Sequence, residues 1–108
     1  MSVIISLMTT LEDIRSLALQ LEGVTESLHF RLPTFKVSER GFITVQKDAA
    51  ILALPQAYSE ALAEAEPDKY EAVWRQGRYF VGLKVSLLKT EPNELQPMIR
   101  EAWSFRRR

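Results

Sequence analysis

The stretch His29-Phe30-Arg31-Leu32-Pro33-Thr34-Phe35-Lys36-Val37, followed by Ser38-Glu39-Arg40-Gly41, Phe42-Ile43-Thr44-Val45, Lys47-Asp48 and Ile51-Leu52-Ala53-Leu54, decides the fold. Its β-branched and aromatic runs are short and are separated by turn-forming residues, the pattern of an antiparallel meander of three strands. Pro33 brings no backbone donor to a ladder, so its strand is expected at a sheet edge or bent at that point.

Toward the N-terminus the pattern becomes helical. Thr9 and Glu12 stand at capping-box spacing, and Leu11, Ile14, Leu17, Ala18 and Leu21 recur as the stripe of an amphipathic helix. Gly23 ends it, with Val24 placed for a Schellman contact. Beyond the meander, Pro55 opens a second helix with a weaker stripe of Tyr58, Ala61, Leu62 and Ala65, closed by Glu66-Pro67. Asp68 caps a further short turn through Tyr70. Trp74-Arg75-Gln76-Gly77-Arg78-Tyr79 reads as a strand end, a glycine-bearing turn and a new strand running to Val85. Leu95, Met98, Ile99, Ala102 and Trp103 form the stripe of a last helix that starts near Pro92 or Asn93, with Asn93 and Gln96 as its capping box. Pro97 is expected in the first turn or so, where few backbone donors have partners. The order predicts an α+β fold: an antiparallel sheet with the N- and C-terminal helices packed on one face, as one domain over residues 1–108.

A chain of 108 residues, 46% hydrophobic and 26% charged, can bury one core without staples. There is no cysteine, which excludes disulfide scaffolds, thiolate metal sites and cysteine nucleophiles, and fits a reducing compartment. Fourteen basic and fourteen acidic side chains cancel, so the overall charge supplies none of the positive excess common in nucleic-acid binders; a local patch is still compatible with neutrality. Val3-Ile4-Ile5-Ser6-Leu7-Met8 is apolar but has no basic flank or cleavage site, and it falls short of the roughly 20 residues a membrane span needs. It reads as a leader that packs on the body or frays. A cytoplasmic location with no membrane partner is expected.

Leu21-Glu22-Gly23-Val24-Thr25-Glu26, His29 to Val37 leading into Arg40-Gly41-Phe42, Ile51-Leu52-Ala53-Leu54-Pro55, Tyr79-Phe80-Val81-Gly82-Leu83 and the closing Leu95 to Trp103 helix occur in an order and spacing that resembles the MmcQ/YjbR family of small bacterial proteins. The resemblance covers nearly the whole chain. It implies a frataxin-like (CyaY-like) α+β arrangement and a role in DNA binding through two β-hairpin wings, with no agreed enzymatic activity. Iron binding of the frataxin kind would want a dense acidic ridge on the first helix. Here only Glu12, Asp13, Glu22 and Glu26 stand there, among apolar neighbours.

Arginines flank the glycines of two tight turns, Arg40 beside Gly41 and Arg75 and Arg78 around Gly77, and guanidinium forks suit phosphate or guanine. Arg31 and Lys36 extend the set. Nucleic-acid contact predicts a continuous positive strip through Arg31, Lys36, Arg40, Arg75 and Arg78; the alternative is that tips carry charge because they are solvated. Trp74, Tyr79 and Phe80 beside Arg75 and Arg78 match the aromatic and basic mixture that stacks single-stranded bases, or else pack under a helix. His29 is the only histidine, and Glu26 lies three residues away, but a structural or surface role is expected of it. Ser104-Phe105-Arg106-Arg107-Arg108 is a basic cluster suited to a helix C-terminus. No phosphate loop, dinucleotide fingerprint, nucleophile elbow or HExxH is present. The expectation is a monomeric, non-enzymatic binding module without metal or cofactor, with DNA as its partner. The alternative is contact with a protein or small ligand through a sheet face or a pocket near His29 and Tyr79.

Overall fold

The computed structural model describes residues 8–108. The leader expected to pack or fray, residues 3–8, lies outside the described part except for Met8. Its elements run α1 (Leu11–Leu19), β1 (Thr25–His29), β2 (Leu32–Val37), β3 (Arg40–Val45), β4 (Ala49–Leu52), α2 (Gln56–Ala65), β5 (Tyr70–Arg75), β6 (Tyr79–Ser86) and α3 (Pro92–Arg107). The strands form one antiparallel sheet in the order β1-β2-β3-β4-β6-β5. After α2 the chain takes the outer edge as β5, and β6 returns between β5 and β4.

Cross-strand register separates the two faces. Glu26, Phe35, Ile43, Leu52, Leu83 and Ala72 stand in one row across all strands, and Ser27, Thr34, Thr44, Ile51, Lys84 and Glu71 in the next. Successive side chains on a strand point to opposite faces, so the apolar row goes to the core and the mainly polar row to the other side. Phe35, Ile43, Leu52 and Leu83 are buried, together with Ile14 and Ala18 of α1 and Leu95, Met98, Ile99 and Ala102 of α3. α3 lies over β2, β3 and β4, α1 against α3, and α2 over β5 and β6. Partial burial and the charge of Glu101 on α3 both raise the Tyr58 phenol of α2 above its usual value.

The helical stripes at both ends of the chain are where the pattern predicts them, except that α1 stops at Leu19 with Gln20 as its C-cap, so Leu21 and the left-handed Gly23 (φ 77°) lie in the turn beyond it; several other details differ for physical reasons. A fourth strand, β1, precedes the meander. It is polar and mostly exposed, because it is an edge paired only to β2, and it carries no hydrophobic run. That makes β2 an inner strand. Pro33 is tolerated there because the β2–β3 register begins one residue later, at Thr34 and Thr44. The capping box of α1 is formed by Thr10 and Asp13, one residue on from the pair expected. Thr9 is instead buried, its backbone N–H bonded to Leu87 O and its hydroxyl donating to Thr90 O at 2.7 Å. In α3 the box is Glu91 with Glu94, which puts Pro97 inside the helix, at an exposed position where water can serve the carbonyl it leaves free. α2 buries Ser59, whose hydroxyl bonds back to Pro55 O, with Leu62 and Ala63 toward the core, while Tyr58 and Ala61 are exposed.

α1 is fastened to β1 by a fork: Arg15 Nε and Nη2 donate to the two carboxylate oxygens of Glu26, each at 2.8 Å, and Arg15 also meets Glu12. Lys69 pairs with Glu94 and Glu66 across the α2–β5 loop and α3. Arg15 holds the Glu26 carboxyl below its usual 4.5, and Lys69, with the backbone N–H of Glu91, does the same for Glu94. A carboxyl depressed in the folded state stabilises above its unfolded pKa, and that contribution is lost as pH falls through the folded value. Stability is therefore expected to drop below about pH 4.5. Glu26→Gln and Glu94→Gln should each lower the Tm by about 2–4 °C at pH 7 and flatten the acid limb between pH 5 and 2. Thermal melts across that range check it; acid limbs identical to that of the unsubstituted chain would remove these pairs from the account.

Candidate functional site

Strand direction fixes where the arginine-bearing turns lie. The β2–β3 turn (Ser38-Glu39), the β5–β6 turn (Gln76 to Arg78) and the exit of β4 are at one end of the sheet, and the β1–β2 turn (Phe30-Arg31) is at the other. Arg40, Arg75 and Arg78 thus share an end, with Lys36 near it through its pairing with Gly41. Arg31 is a full strand away, about 20 Å. Arg40 and Arg75 are three strand spacings apart, about 14 Å. The positive strip expected through all five residues is not formed; three separate sites take its place. None of the five is ion-paired, since the ion pairs among the described residues are those of Arg15 and Lys69.

The β5–β6 hairpin assembles the densest group. Gln76 (φ 54°) and Gly77 (φ 69°) carry the reversal, and the Arg78 N–H closes on Arg75 O at 3.1 Å. A bulge between Val73 and Trp74 interrupts the ladder and re-aims Trp74, a common use of such irregularities. Trp74 and Phe80 meet edge to face with centroids 5.2 Å apart, and the Arg78 guanidinium lies 5.6 Å from the centre of the Tyr79 ring. Trp74 is 40% and Tyr79 57% exposed, so packing accounts for only part of this aromatic surface.

The β1–β2 hairpin presents a different tip. Phe30 (φ 51°) and Arg31 (φ 68°) form a two-residue loop with both residues left-handed, the geometry of a type I′ turn that normally selects Asn-Gly. Phe30 is 86% and Leu28 72% exposed. The His29 ring stands edge to face on Phe30 at 4.4 Å. Glu26 cannot orient it: the two side chains point to opposite faces of β1, and Glu26 is held by Arg15. The sequence pattern predicts a strand through Phe30, and the structure places Phe30 in the turn between β1 and β2. With neither Asn nor Gly at these two positions, the sequence carries no signal for the turn.

A cavity of about 380 Å³ opens beyond the β3–β4 turn, lined by Lys47, Asp48, Asp68, Lys69, Glu71 and Lys84 among others. Its charges are balanced, and Lys69 is engaged by Glu94. No group of three or more His, Asp or Glu converges on a common point among the described residues. No helix among them is long and apolar enough to cross a membrane.

No curated protein matches the chain. Among solved structures, the crystal structure of Deinococcus radiodurans protein DR2400, described with a DUF419 domain, superposes with a TM-score of 0.77 over 91% of this chain and 78% of that one. At 20% identity the likeness shows the fold: an α+β arrangement of this sheet and these helices. The family model described as YjbR matches residues 19–105, from the end of α1 through the whole sheet and nearly all of α3. The chain belongs to the YjbR family.

Proposed function

We propose that this chain is a non-enzymatic binding module that takes nucleic acid on its β5–β6 hairpin. One observation carries the reading: Trp74 and Tyr79 are exposed at a hairpin tip with Arg75 and Arg78, and neither arginine is matched by a carboxylate among the described residues. An aromatic face stacks on any base, and an adjacent guanidinium meets the phosphate that follows it. The scattered placement of the remaining cations favours a small contact surface over a long duplex track. Glu26 is held by Arg15 on the opposite face of β1 from His29, and the charges that line the cavity are balanced, which supports the non-enzymatic part. A monomer in the cytoplasm belongs to the same reading, in keeping with a cysteine-free chain.

Fluorescence titration with single-stranded and duplex DNA at several salt concentrations tests it. The expected result is tighter binding of the single strand, weakening as salt rises, with Tyr79→Ala and Arg78→Gln each costing about tenfold in affinity. Low-salt affinity no better than that of an unrelated neutral protein would reject the proposal.

The bare apolar tip of the β1–β2 hairpin favours a second reading, contact with a protein that offers an apolar cleft. Phe30→Ser that leaves the DNA titration unchanged assigns the two hairpins separate tasks. A tenfold loss with Phe30→Ser returns that hairpin to the nucleic-acid surface.

A further inference from the structure

At its last turn α3 brings Arg106 beside Arg40, the first residue of β3. Arg40 Nη1 donates toward the Arg106 carbonyl oxygen at 3.5 Å, across 66 positions of sequence. Arg106 Nε is buried and meets no acceptor among the described residues. Neither guanidinium has a carboxylate partner among the described residues. Glu39, in the adjoining turn, is exposed and unpaired, and Glu22 meets this end of α3 through its backbone, whose carbonyl accepts from Trp103 Nε1 at 2.8 Å. Arg107 is turned onto the Trp103 ring, 4.2 Å from its centre.

Capping explains only half of this. A cation is welcome at a helix C-terminus, and Arg40 serves one of the last carbonyls. Nothing in that role accounts for a second guanidinium with a dehydrated, unsatisfied N–H next to the first. Two like charges at close range repel, and more strongly where water is partly excluded. Burial and the nearby Arg40 charge both push the Arg106 guanidinium below its usual value, as expected of an arginine that lacks its counter-ion. An oxyanion would relieve the repulsion and the unmet donor together, and paired guanidinium forks match the tetrahedral oxygens of phosphate.

We propose that Arg40 and Arg106 form a site for one phosphate group, and that on a bound nucleic acid strand this site holds a backbone phosphate. The second half rests on the nucleic-acid reading of the β5–β6 hairpin. Both features lie at the same end of the sheet, about 14 Å apart across the strands, a distance that a strand of about four nucleotides spans at 3.4 Å of rise each. The chemistry is shared by free phosphate and by the phosphodiester backbone, and the two sources are told apart as follows.

The Nε–Hε resonances of the full chain, labelled with ¹⁵N and assigned with Arg40→Gln and Arg106→Lys, are followed through titration with sodium phosphate. Sodium chloride at matched ionic strength is the control. Phosphate is expected to move Arg40 and Arg106 while leaving Arg75 and Arg78 in place, and chloride to move none of them. A six-nucleotide single strand is then expected to move all four. Arg40→Gln should abolish the Arg106 response, lower affinity for the strand about tenfold at low salt and reduce the salt slope by about one. Arg106 responding to phosphate while the strand fails to bind keeps the anion site and discards the nucleic-acid reading. A strand that binds Arg40→Gln with undiminished slope, together with no Arg106 response to phosphate, overturns the site and leaves the reading intact. Silence in both titrations overturns both.

Discussion

Gly82→Ala is expected to cost at least about 3 kcal/mol and to lower the melting temperature by about 12 °C or more. The β4–β6 pairing ends at Leu52 and Leu83, and the chain leaving β4 passes directly over Gly82. A methyl group there would lie well inside van der Waals distance of Leu52 O, 3.1 Å from the Leu52 carbonyl carbon and 3.5 Å from Ala53 Cα. All three are main-chain atoms, so no rotamer can make room. The strand and the exit toward α2 would have to separate, and both are fixed by core residues, Leu83 on one side and Leu52 and Leu54 on the other. Since a domain of this size holds about 5–15 kcal/mol in total, this substitution removes a large share of it. Gly77→Ala is the control. No heavy atom lies within 4 Å of its added methyl, so only the left-handed φ of 69° is penalised, at about 1 kcal/mol. A Gly82→Ala chain melting within 3 °C of the parent would mean that β4 leaves the sheet along a different path.

Phe35→Ala is expected to cost about 3–5 kcal/mol, and Phe30→Ala less than about 0.5 kcal/mol. The two phenylalanines are five residues apart in one hairpin and belong to different worlds. Phe35 is fully buried in the row that continues through Ile43, Leu52 and Leu83 beneath α3. Removing its ring leaves a void that the flanking strands, tied on both sides, cannot close. Phe30 gives its ring almost wholly to solvent. Urea unfolding measures both: the midpoint should fall sharply for Phe35→Ala with little change in slope, and stay put for Phe30→Ala. Equal losses at the two sites would contradict the strand register on which the face assignment rests.

The parts of this fold that were legible in advance are those where apolar periodicity and burial coincide. Leu95, Met98, Ile99 and Ala102 recur at helical spacing and are all buried. Phe42, Ile43 and Val45 announce a strand and are buried likewise. β1 was illegible because an edge strand needs few apolar residues; Thr25-Glu26-Ser27-Leu28-His29 is held by ladder bonds to β2 and by the Arg15 fork, neither of which leaves a composition signal. The first cap was misread by one residue because Thr9 and Thr10 are chemically alike. What separates them is a contact with Thr90, 81 positions away. The candidate site divides in the same way. That Arg75 and Arg78 sit at a hairpin tip with Trp74 and Tyr79 follows from local pattern. That Arg31 lies at the far corner, and that Arg40 meets Arg106, depends on strand order and on where α3 ends.

The ties of α1 have a consequence for how the molecule is made. Its leading end is fastened to Leu87 and Thr90, and the loop that follows it to the indole of Trp103. With nine residues, α1 is too short to persist alone in water. A ribosome delivers the chain from its N-terminus, so this helix emerges shortly before its Glu26 tie on β1 but well ahead of Leu87, Thr90 and Trp103. Ile14 and Ala18 wait for α3, the element α1 packs against, so this part of the core closes only after α3 has left the tunnel, in a late step that joins the first described helix to the last.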